Sequence, residues 1–180
     1  MDKQIGNFIF KKTPIKGVYE IEVKKYGDNR GYFMETYKEV DFKNAGLDYK
    51  FVQDNQSKSK KGVLRGLHFQ RDYPQAKLVR CIEGEVFDAC VDLRKDSPTY
   101  LQYESFELSE ENNLAVLVPA GIGHAFISLE DNTIQVYTID RSGNDGHSKQ
   151  INYADEKIGL KLPVPISEIS DYDRNAPFIE

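Results

Sequence analysis

Lys77-Leu78-Val79-Arg80-Cys81-Ile82-Glu83-Gly84-Glu85-Val86-Phe87-Asp88-Ala89-Cys90-Val91-Asp92-Leu93 places two short apolar runs on either side of a glycine turn. Short apolar runs bounded by turn residues are the pattern of β-strands rather than helices. In the second run the alternation sets Phe87, Ala89, Val91 and Leu93 on one face and Asp88, Cys90 and Asp92 on the other. That second face is polar enough to line a pocket, although antiparallel sheets also turn such faces to water.

Outward from this stretch, strand-length runs recur at Gly17 to Val23, Tyr32 to Tyr37, Val63 to Gln70, Tyr103 to Leu108, Leu114 to Val118, His124 to Leu129 and Thr133 to Ile139. Turn chemistry separates them at Gly27-Asp28-Asn29, Tyr73-Pro74, Ser97-Pro98, Glu111-Asn112-Asn113 and Asp131-Asn132. The reading is all-β, a jelly-roll sandwich or barrel. Only Glu39 to Ala45, stopped by Gly46, and Ala154 to Ile158 read as short helices. No Pro/Gly/Ser-rich linker divides the 180 residues, so one domain over 1–180 is expected.

Composition narrows the partners. A formal net charge of -5 argues against broad phosphate-backbone binding, so no nucleic-acid partner is expected and any anionic ligand needs a local cation cluster. Lys58-Ser59-Lys60-Lys61 reads as a solvated loop. The start, Met1-Asp2-Lys3-Gln4-Ile5, has no apolar signal region, and no run approaches a membrane span, so a soluble cytoplasmic protein is expected. Cys81 and Cys90 read as buried thiols rather than a bridge.

Val63-Leu64-Arg65-Gly66-Leu67-His68-Phe69-Gln70 sets two polar side chains around a glycine inside an apolar strand. Arg65 and His68 are three apart, so an unbroken strand would point them to opposite faces. Both serve one pocket only if Gly66 permits a bulge or Arg65 lies at the strand end.

These segments, with Gly27-Asp28-Asn29-Arg30-Gly31-Tyr32-Phe33-Met34-Glu35, Phe51-Val52-Gln53-Asp54-Asn55 and Val86 to Arg94, resemble the dTDP-4-dehydrorhamnose 3,5-epimerase family of cupin-fold nucleotide-sugar enzymes. The resemblance is dense from Gly17 to Tyr137 and thinner beyond. It implies cofactor-independent epimerisation at C3 and C5 of a nucleotide-linked 4-keto-6-deoxyhexose. Such chemistry needs a base for the proton beside the ketone, a donor for the enolate oxygen and an acid on the opposite face.

The resemblance implies His68 as base and Asp173 as its carboxylate partner, with Asp171 a near competitor. It implies Tyr137 as the acid, and Lys77 and Asp88 in the pocket, where a partly buried ion pair on neighbouring strands is the other reading of the last two. For substrate binding it implies Arg65 on the diphosphate, His124 in the sugar-diphosphate pocket, Gln53, Asp54, Asn55 and Gln70 as polar contacts, and Arg30, Phe33 and Glu35 reaching a nucleotide bound by the other subunit of a homodimer.

Pro119-x-Gly121-x-x-His124 is similar to the second cupin motif, but Gln70 stands where the first motif usually has its second histidine. No metal and no cofactor are therefore expected, since a site needs about three matched protein ligands. His147, the remaining histidine, lies in a polar stretch. The chain departs from the family after Tyr137, where Arg141-Ser142-Gly143 replaces a pair of aromatic residues, and it contains no Trp. That leaves the nucleotide base open, together with two other readings: a C3-only epimerase and a non-catalytic sugar-binding cupin.

Overall fold

The computed structural model describes residues 2–70, 75–141 and 148–180. The Tyr73-Pro74 turn, Ser142-Gly143 and His147 lie outside the described residues. In chain order the elements are β1 (Lys3–Ile5), β2 (Phe8–Lys12), β3 (Tyr19–Val23), β4 (Tyr26–Asp28), β5 (Gly31–Phe33), α1 (Glu39–Asn44), β6 (Gln53–Ser59) and β7 (Val63–Gln70). They continue with β8 (Lys77–Glu83), β9 (Glu85–Asp92), β10 (Tyr103–Ser109), β11 (Leu114–Val118), β12 (Ile122–Ser128), β13 (Thr133–Ile139), β14 (Ser148–Gln150), β15 (Glu168–Ile169) and α2 (Asp171–Arg174).

Two sheets form an open jelly-roll sandwich. One runs β1-β2-β3-β11-β8-β13-β6, and the other runs β10-β9-β12-β7-β14 with β15 added parallel to β7. The turn at Gly84 does not make a hairpin, because β8 belongs to the first sheet and β9 to the second. Gly84 makes this crossing possible. Its φ is +72°, and a Cβ there would stand 2.5 Å from Thr133 Oγ1. The two runs that flank it therefore meet face to face, with Val79 and Cys81 packed in one core with Val86 and Cys90.

The face carrying Asp88, Cys90 and Asp92 points into the sandwich and is fully buried, so the water-facing alternative does not hold. The opposite face is covered too, since Leu67, Val91 and Ala125 lie under Ile151, Ile158, Leu160 and Ile179 from the chain's last third. Coverage on both sides explains why β12 is buried at every position and shows no alternation. The outer face of the seven-stranded sheet is closed by the segment around α1. Phe42 sits edge-on to Phe8 and Phe10 at 5.2 and 5.1 Å, pairs worth about 0.5–1.5 kcal/mol each beyond their burial.

Several expectations need correction. Gln53–Ser59 is an edge strand paired along its length with β13, so Lys58 and Ser59 belong to a strand and Ser59 is buried. Its sequence, Gln-Asp-Asn-Gln-Ser-Lys-Ser, hides this because neither face is apolar. Ala154 to Ile158 is not helical. The side chains of Asn152 and Asp155 accept the backbone N–H groups of Ala154 and Lys157, which closes turns in place of a helix. Both cysteines are free and buried, and burial pushes the Cys81 thiol up to about 11.

Candidate active site

One end of the sandwich is filled with apolar side chains; the other holds a cavity of about 610 Å³ whose walls come from both sheets. His68, Arg65, His124 and Phe126 reach it from β7 and β12, while Lys77, Tyr137 and Ser57 reach it from β8, β13 and β6. The segment Ser167 to Arg174 forms its rim.

A bulge at Gly66 brings Arg65 and His68 into the same cavity. Opposite β12, His124 pairs with His68 while Phe126 pairs with Arg65, so two steps on one strand match three on the other. Gly66 has φ +110°, and a Cβ would lie 2.5 Å from the His124 carbonyl oxygen and 2.8 Å from Ala125 Cα. Only glycine fits this backbone without strain.

His68 is held by Asp173. Its Nε2 lies 2.5 Å from Asp173 Oδ1, and the backbone N–H of Gly66 donates to Asp173 Oδ2 at 3.2 Å. Asp173 is buried, whereas Asp171 is exposed, which decides between the two carboxylates. Burial alone would raise the Asp173 carboxyl, but the hydrogen bond and charge of His68, the Gly66 N–H and Ser170 together hold it below the usual carboxylate range. Ser170 caps the short helix that carries Asp173, its Oγ accepting from the Asp173 N–H at 3.1 Å.

Across the cavity, the Lys77 ammonium sits 5.7 Å from the centroid of the Tyr137 ring. Burial lowers the Lys77 pKa although Asp88 and Cys90 resist it, and burial raises that of Tyr137 although Arg65 resists. Asp88 lies beneath the cavity wall rather than on it. Its Oδ2 is 2.8 Å from His124 Nε2 and accepts from Gln135 Nε2 at 3.0 Å, so its direct partners are these two rather than Lys77. Its Oδ1 is buried with no hydrogen-bond partner among the described residues.

Other expected contacts stand outside the cavity. Asn55 pairs with Tyr137 across β6 and β13 and takes a hydrogen bond from Gln53, while Asp54 turns to the other side of the sheet, within electrostatic reach of Arg80. Gln70 ends β7 on the His68 side, beyond the lining. Arg30 is tied to Asp28 at the exposed tip of the β4–β5 hairpin, Phe33 is 66% exposed, and Glu35 accepts from Asn7 Nδ2. This chain by itself does not bring these three to the cavity. Ser57, Phe126 and Tyr172 do line it and were not anticipated; Tyr172 stands half-exposed with its ring 6.2 Å from that of His68.

Residues 12–180 match the profile of the dTDP-4-dehydrorhamnose 3,5-epimerase family. The chain belongs to that family. A dTDP-4-dehydrorhamnose 3,5-epimerase of Methanothermobacter thermautotrophicus is 45% identical over 174 residues, covering 95% of this chain and 94% of the relative. The crystal structure of the epimerase from Elizabethkingia anophelis superposes with a TM-score of 0.90 at 41% identity, over 96% of this chain and 97% of that one. The Legionella pneumophila enzyme, solved in complex with dTDP-4-keto-L-rhamnose, superposes with a TM-score of 0.90 at 36% identity, covering 94% and 91% of the two chains. Family membership makes this chain an isomerase, a carbohydrate epimerase of deoxysugar biosynthesis.

Proposed function

We propose that this epimerase inverts C3 and C5 of a dTDP-linked 4-keto-6-deoxyhexose by proton transfer alone. The observation that carries the reading is the placement of a carboxylate-paired histidine on one sheet and a tyrosine beside a lysine on the facing sheet, with a cavity between them. His68 removes the proton next to the ketone, and Asp173 stabilises the imidazolium that forms. The electron pair moves onto the ketone oxygen, where Lys77 meets the developing charge. Tyr137 returns a proton to the opposite face, and proton exchange with solvent restores both groups for the second centre.

Arg65 suits the diphosphate through its planar fork of donors, and His124, oriented by Asp88, lies beside it in the same cavity. Gln53, Asp54, Asn55 and Gln70 extend the substrate contacts along the open side. Arg30, Phe33 and Glu35 serve a second copy of the chain in a homodimer, which accounts for an exposed hairpin bearing Tyr32 and Phe33. One domain over 1–180 working in the cytoplasm completes the reading; no described helix is long and apolar enough to cross a membrane.

The test is solvent deuterium uptake by dTDP-4-keto-6-deoxy-D-glucose, read by mass spectrometry and NMR. Two exchanged positions are expected. One would make the chain a C3-only epimerase, and none would leave it a sugar-binding cupin. His68→Asn should abolish exchange while the fold and dTDP affinity stay nearly intact, a loss of roughly 10²–10⁴-fold or more.

A further inference from the structure

Asp173 rides on a helix of a single turn, Asp171–Arg174, too short to hold itself in water. At its start Ser170 caps it. At its end the carbonyl oxygens of Arg174 and Ala176 both accept from Asn152 Nδ2, each at 3.2 Å. The backbone N–H of Asn152 donates to Pro177 O at 2.9 Å, and its Oδ1 accepts from Ala154 N–H at 3.0 Å. Asn152 is itself anchored, because it follows Ile151, whose N–H donates to Leu67 O one residue before His68. Asn152 is 7% exposed, so these bonds face little competition from water.

We infer that Asn152 is a positioning residue for catalysis: it ties the turn that carries Asp173 to the strand that carries His68. The inference rests on the proton-transfer reading above. Without the side-chain amide, the buried carbonyl of Ala176 and the partly buried one of Arg174 lose their donor, and the turn can drift from β7. A displacement of the order of 1 Å in a catalytic group can cost about 10²-fold in rate.

Asn152→Ala should lower kcat by roughly 10–100-fold with dTDP affinity unchanged within about twofold, and should weaken or erase the downfield proton resonance of the His68–Asp173 hydrogen bond. Asn112→Ala supplies the stability comparison, since Asn112 caps the distant β10–β11 turn through Ser109, Leu114 and Glu107. It should lower Tm and leave kcat and the resonance alone. Should Asn152→Ala not fold, Asn152→Ser, with one hydroxyl donor for two carbonyls, should give an intermediate loss. Wild-type kcat and an intact resonance in the Asn152 variant overturn the inference, as does an equal kcat loss in Asn112→Ala at matched Tm. Exchange surviving in His68→Asn would instead fail the proton-transfer reading, while the resonance in wild type and Asn152→Ala still decides whether Asn152 positions Asp173.

Discussion

Asp173→Asn is the sharpest probe of the candidate active site because it keeps shape and volume while inverting one hydrogen bond. In the wild type, Asp173 Oδ2 accepts from the Gly66 N–H and Oδ1 faces His68 Nε2 at 2.5 Å. The Gly66 N–H can only donate, so the asparagine must turn its carbonyl oxygen toward Gly66 and its NH₂ toward His68. The NH₂ also donates, which forces Nε2 to accept and moves the imidazole proton to Nδ1. The ring nitrogen left for the substrate then carries a proton and cannot remove another. A wrong tautomer should cost about 10²–10⁴-fold in kcat, equal to about 2.7–5.4 kcal/mol of barrier. The fold should lose less, no more than the roughly 1.5–3 kcal/mol of a charge-assisted bond, because the Gly66 contact survives. The assay is solvent deuterium exchange beside urea unfolding. The pH dependence of stability gives a second reading. The folded pKa of Asp173 is depressed, so its stabilisation is complete above the unfolded value near 3.8 and fades as pH falls through the lower folded value; the variant should lack that acid limb. Exchange within about tenfold of wild type would refute the tautomer argument.

Tyr137→Phe should still wash deuterium into the substrate but yield little inverted product, because abstraction by His68 survives when the opposite-face acid is gone; equal loss of both would make Tyr137 a packing residue. Gly66→Ala should destabilise the fold by about 2–6 kcal/mol, from about 1–3 for a side chain at φ +110° and about 1–3 for overpacking against β12, and unfolding midpoints check it. For Lys77, burial lowers the folded pKa beneath the 10.5 of the unfolded chain, so kcat should begin to fall with rising pH before that value is reached. The unfolded state binds the proton more tightly, so the buried charge costs most stability below the folded pKa; the cost shrinks as pH rises above it and is gone only above the unfolded value of 10.5. Lys77→Met should therefore raise the melting temperature at neutral pH while abolishing activity; a lowered melting temperature would reverse that assignment.

Much of this molecule could be read before folding was considered. Val63–Gln70, Leu114–Val118 and Thr133–Ile139 are strands over the residues their apolar patterns mark, because side-chain period and turn chemistry are local properties. The spacing of Arg65 and His68 around Gly66 left two ways to point both inward, a bulge at Gly66 or Arg65 at the strand end, and the register opposite β12 selects the bulge. Tertiary structure decided what local pattern cannot encode. Whether β8 and β9 pair or face each other depended on the packing of Gly84 against Thr133, half a hundred residues away. Gln53–Ser59 became a strand only because β13 offered it a hydrogen-bonding edge. The choice of Asp173 over Asp171 rested on a one-turn helix docked against β7, a contact that spans more than a hundred positions of sequence. Local rules set what each segment can be, but a site assembled from both sheets and the chain's end exists only when burial makes those distant segments share one cavity.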